Sequence, residues 1–239
     1  MTFFYNGGCR IHYTVSGSGP AVLLLAPGGM RSAISFWDNA PWNPIEALQQ
    51  NFTVVAMDQR NAGQSFGIIN AEDGWDTYAE DQLALMSHLE FERFAVAGMC
   101  IGGPFALNLI RMAPARVRAA VLMQSIGRDG NYDLFLQMFD SWANELLPHD
   151  SRPPEAIAGL RANLFENEAS LFCMLETELS AMTTPMLILR GDDSYHPSVT
   201  SEMIAATAPH AELIAAWKEG DEAAQAAQQM EAFLAQHSR

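Results

Sequence analysis

The chain has 239 residues, of which 49% are hydrophobic, and its formal net charge at pH 7 is −15. This length and apolar content predict one domain with one sizeable core, and the excess of acidic residues argues against nucleic acid as a partner. No apolar run is long enough to cross a bilayer, so no membrane partner is expected, and residues 1–5 do not resemble a secretory signal. We therefore expect a cytoplasmic protein that acts on a small-molecule substrate, and homodimer formation stays open.

The N-terminal part of the chain predicts strands of two kinds. An Asn-Gly turn at 6–8 joins two short antiparallel strands at 3–5 and 10–15. The runs 21–26 and 52–57 are almost wholly apolar, which is typical of strands buried on both faces of a sheet.

Helices are predicted between and after these strands. Residues 44–50 have a helical pattern. A Thr-x-x-Glu capping box at Thr77 and Glu80 predicts a longer helix over 77–89.

The C-terminal half continues the alternation of strands and helices. Strands are predicted at 117–123, 186–189 and 212–216, with a helix near 199–206 and an amphipathic helix at the end of the chain. Such alternation predicts an α/β fold, a mostly parallel sheet flanked by helices on both faces.

Cys100 has the most informative surroundings of the three cysteines. It lies in Gly-Met-Cys-Ile-Gly-Gly, with Gly98 and Gly102 two residues to either side, after the apolar run 94–97 and before a helical pattern over 105–112. A strand, a tight turn flanked by small residues and a helix form a nucleophile elbow, which exposes the central side chain above the sheet.

This motif resembles the α/β-hydrolase superfamily, with cysteine where the family usually carries serine, as in dienelactone hydrolases. The resemblance implies that the Cys100 thiol is the nucleophile. Cys9 and Cys173 lie in no such motif and fit the role of small buried hydrophobic residues. An odd number of irregularly spaced cysteines predicts neither a disulfide framework nor a metal cluster, and we expect no metal and no cofactor.

Between residues 126 and 184 the alternation gives way to helical patterns. This segment resembles the cap that many α/β-hydrolases insert after the sixth strand, so we expect a single domain over 1–239 with a small helical cap at 126–184. Phe135, Met138 and Trp142 share one helical stripe. We expect them to line a pocket for an apolar part of the substrate, although the same residues would also serve to pack the cap.

The turn Pro27-Gly28-Gly29-Met30 follows the first buried strand, where the family carries an oxyanion turn. Acyl transfer needs two backbone N–H donors at the developing oxyanion. The resemblance implies Ile101, next to the nucleophile, and Gly29 as these donors, with Met30 as the alternative to Gly29.

Residues 58–65 resemble a structural turn of the same family, with Asn61 at a position where a glycine is usual. Asparagine is among the residues that best tolerate a positive φ, so the exchange is expected to be accommodated.

The family order places an acid after the seventh strand and a histidine after the eighth. Asp192 and Asp193 follow the seventh strand, but residues 217–222 contain no histidine. His196 lies on the carboxyl side of the seventh strand, where catalytic groups of α/β folds collect, and is the favoured base. His149, in the cap, is the alternative.

The carboxylate that orients the base stays open between two loops. Asp193 is close enough in sequence to orient His196 and is the simplest choice. Asp192 of the same loop is an alternative, as are Glu219 and Asp221 after the eighth strand.

Together these residues predict a hydrolase that attacks an ester, lactone or thioester carbonyl through a cysteine acyl-enzyme. An acyltransferase or a lyase would use the same site with a different fate of the intermediate. A ligand-binding protein that kept the fold without catalysis is the alternative of another class, because fold does not determine function.

Overall fold

Eight strands form one sheet in the computed structural model, which describes residues 2–146 and 153–238. In chain order the strands are β1 (Thr2–Asn6), β2 (Cys9–Gly17), β3 (Ala21–Leu25), β4 (Thr53–Met57), β5 (Phe94–Met99), β6 (Val117–Met123), β7 (Met186–Leu189) and β8 (Ala211–Ile214). The α-helices within the same residues are α1 (Pro44–Leu48), α2 (Trp75–His88), α3 (Gly102–Met112), α4 (Tyr132–Leu146), α5 (Pro154–Phe165), α6 (Glu176–Leu179), α7 (Ser198–Thr207) and α8 (Gly220–His237).

The sheet is mostly parallel. Its spatial order is β1-β2-β4-β3-β5-β6-β7-β8. The pairs β1 with β2 and β2 with β4 are antiparallel, and every other neighbouring pair is parallel. The predicted fold class is therefore confirmed.

Helices cover both faces of the sheet. Alternate strand residues point to opposite faces, so each face carries apolar side chains that pack against helices. On one face Leu23 and Val55 pack in a core with residues of α2 and α3 such as Tyr78 and Phe105. On the other face Val22, Leu24 and Val54 pack with the α8 residues Ala226, Met230, Phe233 and Leu234. Burial on both sides explains why the strands of the middle of the sheet read as continuous apolar runs.

Several predicted boundaries differ from the structure by one to three residues, and two of these differences have a visible cause. Helix α2 begins at Trp75, not Thr77, and the hydroxyl of Thr77 accepts a hydrogen bond from the Gly74 N–H at 3.1 Å. The threonine thus caps the helix from inside its first turn. Strand β8 ends at Ile214 rather than at 216, ahead of Trp217, which is buried and donates its indole N–H to the Arg190 carbonyl at 2.7 Å.

The segment between β6 and β7 carries α4, α5 and α6, as expected for a helical cap. Its aromatic residues pack on one another, and Trp142 donates its indole N–H to the Asn61 carbonyl at 3.1 Å. Residues 147–152, which include the candidate base His149, lie outside the described residues. Within the described parts of the chain, no helix is long and apolar enough to cross a membrane.

The carboxylate of Asp58, the residue after β4, contacts groups from three other parts of the chain. One carboxylate oxygen accepts the Ile34 N–H at 2.8 Å, and the other accepts the Gln64 N–H at 2.8 Å and lies 2.9 Å from Nδ1 of His12. Asn61 in the same turn has a φ of 60°, so asparagine adopts the left-handed conformation as expected.

We expect Asp58→Ala to lower the free energy of unfolding by about 2 kcal/mol, because it removes the partner of the buried His12 ring and the acceptor of two partly buried backbone N–H groups. Urea denaturation followed by circular dichroism measures this. Asp129→Ala, at an exposed carboxylate, is the control and is expected to change stability by less than about 0.5 kcal/mol. Equal stability of the Asp58 variant and the wild type would contradict the structural role of this side chain.

Candidate active site

Cys100 occupies a strained turn between β5 and α3. Its φ is 60°, which costs energy in any residue with a side chain. The turn closes so tightly that a Cβ on Gly98 would overlap the Gly102 carbonyl, and a Cβ on Gly102 would overlap the Leu25 carbonyl. The Cys100 N–H donates to the Met123 carbonyl at 3.0 Å. Glycine is thus required at both flanking positions, and the elbow lies where the sequence predicted it.

His196 is held by Asp193 of the same loop, after β7. One oxygen of the Asp193 carboxylate accepts the backbone N–H groups of Tyr195 at 2.9 Å and His196 at 3.0 Å. The other oxygen lies 2.8 Å from Nδ1 of His196. A single carboxylate therefore fixes both the backbone of this loop and the orientation of the imidazole, which leaves Nε2 as the free ring nitrogen.

The imidazole of His196 faces the Cys100 sulfur, and the two groups stabilise each other's charged forms. Burial alone would raise the pKa of Cys100, but hydrogen bonding and charge from His196, with the N–H groups of Gly28 and Ile101, lower it below its ordinary value. Burial alone would lower the pKa of His196, but its interactions with Cys100 and Asp193 raise it. Nε2 of His196 is buried and makes no well-formed hydrogen bond among the described residues; such contacts are often long before substrate binds.

The carboxyl of Asp193 responds to the same histidine. Although partial burial would raise its pKa, the hydrogen bond and charge of His196 and the two backbone N–H donors lower it. Asp193 is thus ionised at neutral pH and stabilises a protonated imidazole.

The other two cysteines have the opposite electrostatics. Burial, with the nearby Asp81, raises the pKa of Cys9 to about 12. Burial also raises the pKa of Cys173 far above its ordinary value. Of the three thiols only Cys100 has a pKa shifted towards the thiolate, the reactive form.

The backbone N–H groups of Gly28 and Ile101 contribute to the lowered pKa of the Cys100 thiol. Ile101 is also one of the predicted oxyanion donors. Gly28 directly precedes Gly29 and Met30, the other predicted candidates, and was not among the predicted residues. Gly29 lines the cavity above the thiol, and the Met30 N–H donates to Sδ of Met138 at 3.4 Å. Glycines at positive φ allow several orientations of successive N–H groups, so the sequence carries no signal that selects one of them.

An apolar cavity of about 210 Å³ lies above the thiol. Its walls are Gly28, Gly29, Cys100, Ile101, Ile126, Phe135, Met138, Tyr195 and His196. Phe135 and Met138 line it as predicted. Ile126 and Tyr195 were not predicted, although both follow the carboxyl ends of strands, where α/β binding sites form.

Trp142 does not line this cavity, so that prediction is corrected. Its side chain is 2% exposed and packs edge-on against Phe139 with ring centroids 5.3 Å apart. One helical turn separates Trp142 from Met138, and the bond from its indole to Asn61 directs it towards the structural turn after β4.

The remaining candidate carboxylates do not contact His196. Asp192 forms an ion pair with Lys218. Glu219 and Asp221 are exposed at the start of α8. The loop after β8 thus contributes Trp217 and Lys218 to packing and charge pairing. Among the described residues, no group of three or more His, Cys, Asp or Glu side chains is arranged to hold a metal ion.

Solved structures of similar fold include a meta-cleavage product hydrolase and an enol-lactonase. A meta-cleavage product hydrolase, CumD of Pseudomonas fluorescens, has a TM-score of 0.74 and 19% identity, with 98% of each chain covered. An enol-lactonase from Burkholderia xenovorans LB400 has a TM-score of 0.73 and 18% identity, with 98% of this chain and 100% of that chain covered. At these identities the likeness shows the fold.

Curated relatives match in sequence. A "Putative carbamate hydrolase RutD" of Agrobacterium fabrum is 30% identical over 117 residues, which are 48% of this chain and 42% of that protein. A protein of the same name from Rhizobium rhizogenes is 24% identical over 233 residues, which are 85% of this chain and 87% of that protein. The first alignment thus spans less than half the length of that relative.

A family model for the alpha/beta hydrolase fold matches residues 21–218. The matched region contains the elbow, the Asp193–His196 loop and the cap. Because it covers well over half of the 239 residues, the chain belongs to the alpha/beta hydrolase fold family.

Proposed function

We propose that this protein hydrolyses an ester, lactone or thioester with an apolar portion through an acyl-enzyme on Cys100. The observation that carries the proposal is the row of three side chains in which Asp193 holds His196 and His196 faces the thiol of the elbow. Their charges favour a thiolate beside an imidazolium, which is the reactive state of a cysteine nucleophile.

In the first half of the reaction the Cys100 thiolate attacks the carbonyl carbon. A C–S bond forms while the electron pair of the C=O bond moves to oxygen. The N–H of Ile101 and an N–H of the Gly28–Gly29 turn stabilise this oxyanion. When the C=O bond re-forms, the leaving alcohol or thiol departs with the proton that the imidazolium of His196 donates.

In the second half water replaces the leaving group. The now neutral His196 accepts a proton from water, whose oxygen attacks the thioester carbonyl. The C–S bond breaks, the carboxylic acid is released, and the Cys100 thiolate and the imidazolium are restored. Asp193 stabilises the imidazolium, because it is the carboxylate bonded to the opposite ring nitrogen.

The class of substrate follows from the walls of the cavity. Phe135, Met138 and Ile126 present apolar surface directly above the thiol, so the acyl side of the substrate gains affinity by burying hydrocarbon. The similar proteins include an enol-lactonase and a putative carbamate hydrolase. Lactones and carbamates both contain a carbonyl group, which supports the same reaction class here.

We expect Cys100→Ala to abolish turnover of p-nitrophenyl esters while the circular dichroism spectrum stays unchanged, because alanine removes only the nucleophilic atom. Cys100→Ser is expected to retain little activity, since the pairing with His196 is suited to an acidic thiol and an alcohol is much harder to deprotonate. Stopped-flow kinetics and intact-mass spectrometry check both variants.

The location of the acyl adduct is the critical measurement. Peptide mapping after rapid acid quench is expected to find the adduct on Cys100 and not on Cys9 or Cys173. Full turnover by Cys100→Ala, or an adduct on one of the other cysteines, would overturn the covalent mechanism.

The pH dependence of thiol alkylation tests the roles of the loop residues. The Cys100 pKa is lowered, so its alkylation rate should rise at a pH below the ordinary thiol range near ~8.5. The hydrogen bond and the positive charge of His196 are among the causes that lower the thiol pKa. His196→Ala removes the cation, so the rise should move to higher pH.

Two neighbouring carboxylates provide a matched comparison. Asp193→Asn should shift the alkylation profile upward, by less than His196→Ala does, whereas Asp192→Asn should leave the profile unchanged because Asp192 pairs with Lys218. An unchanged profile in His196→Ala would contradict its role as the base. A larger shift in Asp192→Asn than in Asp193→Asn would assign the orienting carboxylate to Asp192.

A further inference from the structure

Met138 of the cap helix α4 contacts the turn at residues 28–30, which contains the candidate oxyanion donors. Its Sδ accepts the Met30 N–H at 3.4 Å. A Cβ built on Gly29 would lie 2.6 Å from Sδ and 3.1 Å from Cγ of Met138. The thioether therefore fills the space that a side chain at Gly29 would occupy and forms one wall of the cavity.

The cavity above the thiol is smaller than most ligand-binding pockets. Its volume of about 210 Å³ lies below the range of roughly 300–1,000 Å³ that is usual for sites of drug-sized ligands. A short acyl group fits above the thiol, and a longer chain has to pass the wall on the cap side.

Met138 is a wall residue whose size can be changed without removing a ring from the core or a residue from the His196 loop. Phe135 is fully buried and packs edge-on against Phe172 with centroids 4.7 Å apart, so its loss would loosen the cap. Tyr195 belongs to the loop that holds His196. Met138 is half-buried, and its flexible, unbranched side chain ends in the cavity.

We propose that Met138 is the specificity-determining residue that limits the length of the acyl chain, so that the wild-type protein acts on esters of short-chain acids. This inference rests on the proposed function, because it takes the cavity above Cys100 as the acyl site. The volume of the side chain sets the limit, since a methylene that does or does not fit an apolar pocket changes specificity by roughly 10–200-fold.

The test is the dependence of kcat/KM on acyl length for p-nitrophenyl acetate, butyrate, hexanoate and octanoate. For the wild type, kcat/KM is expected to fall by about tenfold or more between the short and the long esters. Met138→Ala should move the optimum to the longer esters, and Met138→Phe should move it towards acetate. These opposite changes keep the test decisive if one of the two variants folds poorly.

Two controls separate volume from other effects. Met138→Leu keeps the volume but removes the sulfur acceptor of the Met30 N–H, and it should keep the wild-type profile. Trp142→Phe loses a buried hydrogen bond one turn away on the same helix, and it should lower the melting temperature without altering the profile.

The outcomes distinguish this inference from the proposed function. If acyl adducts form on Cys100 but the profiles of Met138→Ala and Met138→Phe equal that of the wild type, the role of Met138 is overturned and the proposed function stands. A shift in Met138→Leu as large as that in Met138→Ala would overturn the volume explanation. Turnover of these esters that persists in Cys100→Ala would overturn the proposed function and this inference with it.

Discussion

The position of the sulfur at the centre of the candidate site depends on the strained backbone of Cys100. Its φ of 60° is a conformation that a residue with a side chain adopts only where its surroundings impose it. Here the close approach of the chain at Gly98 and Gly102 imposes it, because neither position has room for a Cβ. The turn carries the sulfur to the carboxyl edge of the sheet, where the turn after β3 and the loop after β7 also end. The N–H groups and the imidazole that stabilise a thiolate therefore meet there without further folding.

A thiol at the elbow changes what the rest of the triad has to supply. An ordinary thiol has a pKa near ~8.5, only about two units above that of imidazole, whereas an alcohol is far less acidic. His196 can consequently pair with Cys100 as an ion pair, and it needs only a carboxylate that fixes its ring. Asp193, three residues away in the same loop, supplies this by accepting two backbone N–H groups as well as Nδ1. In the proposed mechanism the acid and the base thus come from one loop instead of two.

The family order predicts a histidine in the loop after β8. In this chain the residues of that loop instead stabilise the fold. Trp217 fills the space beside β7 and bonds the Arg190 carbonyl, and Lys218 pairs with Asp192. This pairing also explains why two adjacent aspartates differ: Asp192 is directed to the eighth-strand loop and Asp193 to the imidazole. The choice between them could not be made from the sequence, because it depends on a loop 26 residues further along the chain.

Much of the fold and the outline of the site could be predicted from residues whose chemistry acts locally. The apolar runs predicted the buried strands because burial on both faces leaves no polar position, and the glycines around Cys100 predicted the elbow because no other residue fits there. Long-range choices escaped prediction for a physical reason. Trp142 and Met138 share a helical stripe, yet they contact different turns. The Trp142 indole donates to the Asn61 carbonyl, whereas the Met138 sulfur accepts the Met30 N–H.

Helix α4 of the cap contacts the candidate active site through the turn that contains Met30. Within the described residues, α4 contacts the turn after β3 through Met138 and through the pairing of Arg31 with Glu145 and Ser141. The Arg31–Glu145 ion pair is exposed to solvent, which screens it, so it contributes little to holding the cap. Burial of Trp142 and of Phe135 is the stronger restraint, because it removes large apolar surfaces from water. The same helix also supplies Met138 as one wall of the cavity, so the buried packing that holds α4 on the sheet also holds this wall above Cys100.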